Sequence, residues 1–208
     1  MDIDSELQKY DVSRETIEKL EAFAALLREW NAKMNLVSKN SLEDVWIRHI
    51  LDSLQIIRYI PKTTETLLDI GSGAGFPAVV LAIVMQEKLP TAHSILVESI
   101  TKKTVYLNDV CIKLGLKNVH IENNRVENLR LKNINVITAR AVAALDVLCD
   151  YAGGLGNKNT KCLFLKGRTY QEELQKACEK WHFDCITHQN IYCDDGVLLE
   201  ISNLRKRR

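Results

Sequence analysis

The chain has little proline and no long apolar run, and each shortage removes a class of protein. Only 3 of its 208 residues are proline and only 9 are glycine, which excludes a collagen-like repeat or a low-complexity disordered chain. The longest uninterrupted apolar stretch, Ala78 to Met85, falls far short of the ~18 residues that a membrane-crossing helix requires. The opening Met-Asp-Ile-Asp-Ser-Glu carries acids where a secretory leader carries positive charge, which points to the cytoplasm. Six cysteines are present without a Cys-x-x-Cys pair or a histidine at zinc-finger distance. Reduced, mostly buried thiols and no metal site are therefore expected. An excess of one charge is also lacking, since the net charge is +1. Arg205, Lys206, Arg207 and Arg208 are consecutive, so the rest of the chain is acidic overall. Such a basic run is either a solvated terminus or an anchor for a polyanion.

What remains is a chain that should fold around one main core. Residues 1–60 read as a helical extension. Ser13 predicts an N-cap, and Ile17, Leu20, Phe23, Leu27, Trp30 and Met34 recur at helical steps. A second helix is expected from Ser41, with Asp44 in its first turn, until Pro61 stops it. Residues 61–208 then alternate short apolar strands with helical segments. Strands are expected at 67–70, 95–97, 119–121, 136–137 and 162–165, with helices at about 102–114, 143–152 and 171–181. The alternation predicts an α/β, mostly parallel sheet with helices on both faces. The last two strand candidates, 185–191 and 197–201, are separated by a short turn around Asp194-Asp195-Gly196. A hairpin there would give the sheet an antiparallel C-terminal edge.

In such sheets ligands bind beyond the C-terminal ends of the strands. After the first strand comes Asp69-Ile70-Gly71-Ser72-Gly73-Ala74-Gly75-Phe76-Pro77, where glycines permit a tight turn and let a ligand approach the backbone. The dinucleotide fingerprint needs its third glycine at 76, where Phe stands, and no Gly-Lys-Ser/Thr follows to make a P-loop. After the second strand comes Glu98, an acid placed to accept hydrogen bonds from both hydroxyls of a ribose. Glycine loop and acid together indicate an adenosine-bearing ligand without a phosphate cradle, and S-adenosylmethionine fits that description. Arg125-Val126-Glu127 follows the third strand. Arg140 follows the fourth, offering a positive fork to a carboxylate or phosphate or forming a surface ion pair.

Asn35-Leu36-Val37-Ser38, the Arg48 to Leu54 block, Asp69 to Pro77, Glu98-Ser99 with Lys102-Lys103, Arg125-Val126-Glu127, Arg140-Ala141 and Leu165-Lys166-Gly167 together resemble the bacterial small-subunit ribosomal RNA methyltransferase G family. The resemblance runs from about residue 13 to 180. It implies a class I (Rossmann-like) methyltransferase fold, S-adenosylmethionine as donor, N7 of one guanine in 16S rRNA as acceptor, and the rRNA or the 30S subunit as partner of a monomeric enzyme. Carried over residue by residue, it places cofactor contacts at Gly71, Gly73, Phe76, Val126, Glu127 and Arg140, with Glu98 at the ribose, and substrate contacts at Arg140 and Lys166. Ala78 stands where the family usually has glycine, and Glu98 where Asp is commoner. No Asn/Asp-Pro-Pro-aromatic or Pro-Cys motif follows the fourth strand. Guanine N7 carries a lone pair and no proton, so its methylation requires no general base, and no catalytic acid, base or nucleophile is assigned. For the Arg48 to Leu54 block two readings stand: a latch between the N-terminal helices and the core, or direct contact with RNA or cofactor.

Overall fold

The computed structural model describes residues 2–207. Three short apolar strands, β1 (Thr66–Ile70), β2 (His93–Val97) and β3 (Val119–Glu122), pair in parallel toward one edge. β4 (Val136–Arg140) returns to the other side of β1, followed by β5 (Lys161–Lys166). The hairpin strands β6 (Trp181–Gln189) and β7 (Val197–Lys206) close the sheet, β7 running antiparallel to β5. The seven-stranded order is β3-β2-β1-β4-β5-β7-β6. The direction of winding therefore reverses between β1 and β4, which opens a crevice at their C-terminal ends. β1, β4 and β5 are buried along almost their whole length, as strands covered on both faces must be.

Helices fill the two faces. α1 (Ile3–Gln8) and α2 (Arg14–Asn31) lie outermost on one side; α2 starts at Ser13, whose hydroxyl accepts from the Thr16 N–H. The short helix α3 (Lys39–Glu43) follows. Leu20, Phe23 and Leu27 share one core with Val79, Val80 and Ile83 of α5 (Ala78–Lys88) and with Tyr106 and Leu107 of α6 (Thr101–Lys113). α5 is buried from Ala78 through Met85, the signature of a helix sandwiched between sheet and outer helices. On the opposite face α7 (Leu145–Leu155) and α8 (Tyr170–Lys180) cover Ile70, Ile137 and Phe164. α7 runs through Gly153 because its missing Cβ leaves room for Trp181, whose ring would stand 2.2 Å from it. Among the described residues no helix is long and apolar enough to cross a membrane.

The local expectations meet the structure at three points. The helix expected from Ser41 begins instead after Ser38, which caps the Ser41 N–H, and it breaks at Asp44. A π-helical turn (Trp46–Leu51), one α-turn that we number α4 (Asp52–Leu54) and a 3-10 turn (Gln55–Tyr59) then carry the chain to Pro61. In the basic run Arg205 and Lys206 belong to β7, opposite His182 and Trp181, and Arg205, Lys206 and Arg207 are exposed, while Arg208 lies outside the described residues. The cysteines are less buried than expected. Cys111, Cys149 and Cys162 lie in the core, Cys185 is half-buried, and Cys178 and Cys193 are exposed.

Candidate active site

The glycine loop after β1 turns because it can reach backbone angles that other residues avoid. Gly71 and Gly73 have φ of +68° and +50°, and a Cβ on Gly71 would stand 2.7 Å from a methyl of Val142. Glu98, just beyond β2, staples this loop: its carboxylate accepts from the Gly73 N–H at 3.0 Å and from the Ile100 N–H at 2.8 Å. At Gly73 it is the positive φ, and not crowding, that favours glycine, since a Cβ there would stand an ordinary 4.0 Å from the same carboxylate. Beneath the loop, Asp69 is fully buried. It accepts from the Thr138 hydroxyl at 2.6 Å, and its second oxygen has no partner. Burial pushes its carboxyl up to about 7, against the opposing pull of Thr138.

Loop, acid and the segments after β3 and β4 enclose a cleft of about 500 Å³. Gly71, Gly73, Phe76, Glu98, Val126, Glu127 and Arg140 all line it. Leu36, Val37 and Ser38 line it as well, reaching over from the N-terminal helices, as does Tyr151, whose hydroxyl donates to Glu127 at 3.1 Å. None of these four was assigned a site role from the sequence. Only the Asn35 to Ser38 block carried a signal, and nothing in Tyr151 announced that α7 would bring it to this wall.

Arg140 is the hub. One nitrogen of its guanidinium donates to Asp52 at 2.9 Å and to the Arg48 carbonyl at 3.0 Å, while the other donates to His49 Nδ1 at 2.6 Å. The guanidinium also stands over the Phe76 ring, 5.1 Å from its centre, and His49 stacks on the same ring at 4.7 Å. A guanidinium only donates, so His49 Nδ1 accepts and its proton resides on Nε2, which is buried without a partner. Burial, with Arg140 and Arg48 close by, holds the imidazole down at about 3. Asp52 receives further hydrogen bonds from Gln55 and Asn190, and Asn190 stands at the end of the β6–β7 hairpin. These bonds tie the Arg48 to Leu54 block to the sheet, as the latch reading has it, while His49 also lines the cleft. The π-helical turn places His49 and Asp52 together on Arg140.

Arg140, His49, Ser41 and Ala141 also form one wall of a second cavity, about 730 Å³, bounded by Leu165 to Gly167 and by the hairpin loop from Tyr192 to Gly196. Lys166 borders it, but its ammonium is already occupied by Glu173 at 2.6 Å and by the Ala143 carbonyl at 2.9 Å. The resemblance placed Lys166 at the substrate; the structure puts it on the border of this cavity with a half-buried counter-ion on α8.

Residues 16–199 match the family described as rRNA small subunit methyltransferase G (GidB). Proteins named ribosomal RNA small subunit methyltransferase G are 41% identical in Rickettsia akari, over 94% of this chain and 98% of the relative. They are 41% identical in Sinorhizobium fredii, over 94% and 92%.

This chain belongs to the rRNA small subunit methyltransferase G family.

Membership makes it an S-adenosylmethionine-dependent methyltransferase. The fold agrees with solved methyltransferases of remote sequence. A ribosomal protein L11 methylase from Lactobacillus delbrueckii superimposes with a TM-score of 0.60 at 12% identity, over 75% of this chain and 78% of that one. A SAM-dependent methyltransferase from Aquifex aeolicus gives 0.59 at 13%, over 86% and 98%. These likenesses establish the class I methyltransferase architecture. The Glu98 carboxylate, tied to the Gly73 N–H, lies on the wall of the 500 Å³ cleft beside the glycine loop.

Proposed function

We propose that this protein transfers a methyl group from S-adenosylmethionine to N7 of a guanine in 16S rRNA of the small ribosomal subunit. The observation that carries the reading is the pair of cavities sharing the wall of His49, Arg140 and Ala141. One side has the glycine loop and ribose-facing acid, and the other is walled by the turn after β5 and by the hairpin loop. When bound, the cofactor supplies an electrophilic sulfonium methyl. Gly71, Gly73, Phe76, Val126 and Glu127 would hold it. Of about four lone-pair sites on the Glu98 carboxylate, two are taken by the Gly73 and Ile100 N–H groups, leaving two for a ribose diol. Arg140 fixes the common wall at the meeting point of donor and acceptor, and Lys166 fixes the turn that borders the acceptor side. Neutral N7 brings its own lone pair, so these residues need only align the reactants and exclude water. In this reading residues 1–60 are a helical extension of the 61–208 methyltransferase domain, and the enzyme works as a cytoplasmic monomer.

The test is transfer of labelled methyl to naked 16S rRNA and to assembled 30S subunits, with the modified nucleotide identified by mass spectrometry. We expect 7-methylguanosine at one position of at least one substrate. Label on another base, or none on either RNA, would overturn the reading.

A further inference from the structure

The antiparallel course of β7 carries the basic run away from the cleft. Val197 pairs with Lys166 at the cleft end of β5, whereas Arg205 lies eight residues further along β7. At ~3.3 Å per residue the two positions are about 26 Å apart. β5 pairs with β7 only as far as Ile201, and beyond it β6 and β7 continue alone as a two-stranded ribbon. The tip is ordered. Arg207 N–H donates to the Lys180 carbonyl at 2.8 Å, and the Lys206 ammonium stands 6.0 Å from the centre of the Trp181 ring.

Arg205 faces His182 across the ribbon, and Lys158 joins them around one shallow hollow. Among the described residues Lys158, Arg205, Lys206 and Arg207 have no carboxylate within ion-pair distance. Asp184, whose carboxylate accepts from the Asn203 amide, is the acid bordering the hollow, and Lys158 and Arg205 outnumber its charge. Cations crowded on a protruding edge repel one another, and a polyanion relieves that repulsion. The family match ends at residue 199, short of this tip.

We propose that the ribbon tip is a second RNA-anchoring surface, gripping phosphates of a segment distant from the methyl-accepting nucleotide; this rests on RNA being the substrate. A stacked strand, advancing ~3.4 Å per phosphate, would need roughly eight nucleotides to run from cleft to tip, and a fully extended one about half as many. A fragment holding only the acceptor and its nearest neighbours therefore cannot reach both. Charges of this kind position the RNA and read no sequence.

The experiment measures binding over a salt series for the unaltered protein, for Arg205→Ala/Arg207→Ala and for Arg205→Lys/Arg207→Lys. Two RNAs are used: full-length 16S rRNA and a six-nucleotide fragment centred on the methylated guanine. On the long RNA the alanine variant should show a slope of log K against log salt shallower by about 1.4 to 1.8, from two lost phosphate contacts at ~0.7 to 0.9 each. The lysine variant should keep the slope, and the short fragment should show no difference. Superimposed lines on the long RNA, or an equal loss on the short fragment, would overturn the proposal. Binding is read without turnover, so a failure of the unaltered protein to methylate rRNA would refute the function and not this anchor.

Discussion

Replacing Arg140 by alanine should be among the most damaging single changes in this protein, and the structure says by how much. The guanidinium and Asp52 are both largely buried, with side chains 17% and 9% exposed. Removing one partner of a buried pair costs about 3 to 5 kcal/mol, because the other charge stays behind without compensation. Asp52 would keep the neutral donors Gln55 and Asn190, which places the loss toward the lower end, about 3 kcal/mol. For a chain of this length that is roughly a 6 to 12 °C fall in melting temperature. Asp52→Asn should cost about 2 kcal/mol by leaving Arg140 without its counter-ion. The double variant removes both charges together and should cost less than the sum, with a coupling of about 1 to 3 kcal/mol. Urea unfolding of the four proteins, followed by circular dichroism, yields this cycle directly. Additivity within about 0.5 kcal/mol would mean that the Arg140–Asp52 pair does not latch the N-terminal segment to the sheet.

Glu98→Ala should weaken S-adenosylmethionine binding by about 1.5 to 3 kcal/mol, roughly 10- to 150-fold, in calorimetry on a folded protein; unchanged affinity would remove Glu98 from the ribose. Asp69 has a carboxyl raised to about 7 in the fold and near 3.9 when unfolded. The folded state then holds the proton more tightly, so stability is full below about pH 4 and declines as pH rises through 7. Asp69→Asn should abolish that component, and the difference in unfolding free energy between the two proteins should change steadily from pH 4 to 7; a flat difference would refute it. His49 has the opposite sign, because its depressed folded value makes stability fall as pH drops from about 6.5 toward 3. His49→Gln should lessen that acid loss in the same titration. Replacing any one of the six cysteines by serine should leave methyl transfer largely intact; a variant that binds cofactor and RNA yet cannot transfer methyl would contradict a reaction without a nucleophile.

Much of the fold is written locally. The apolar strands, the Ser13 cap and the unbroken Ala78 to Met85 stretch are short-range patterns, and so are the glycine loop and Glu98 at their strand ends. What was not legible depends on partners far along the chain. The π-helical turn at Trp46–Leu51 is held in register by Arg140, 92 residues from Arg48, and by Asn190, 138 residues from Asp52; no local propensity distinguishes it from an ordinary helix. Nothing near Lys166 in the sequence reveals that Glu173 of α8 will pair with it. For Arg205 and Lys206 the sequence leaves a solvated terminus and a polyanion anchor both open, because a basic composition does not reveal that His182 and Trp181 will pair with them.

The contact between Tyr10 and Tyr192 sets a timetable for biosynthesis. Their hydroxyls meet at 2.9 Å, with Glu6 accepting from Tyr192 at 3.0 Å, across 182 residues of chain. At ~5 to 20 residues per second, translation leaves α1 without this partner for roughly 10 to 40 s after Tyr10 is made. During that interval α2 can settle on α5 and α6 once those are made, but the seam between α1 and the hairpin loop stays open. A nascent chain paused before residue 192 would hold at most the five parallel strands, because β6 joins the sheet only through β7, and the hydrogen bonds of Tyr10 and Glu6 to Tyr192 would still be unmade.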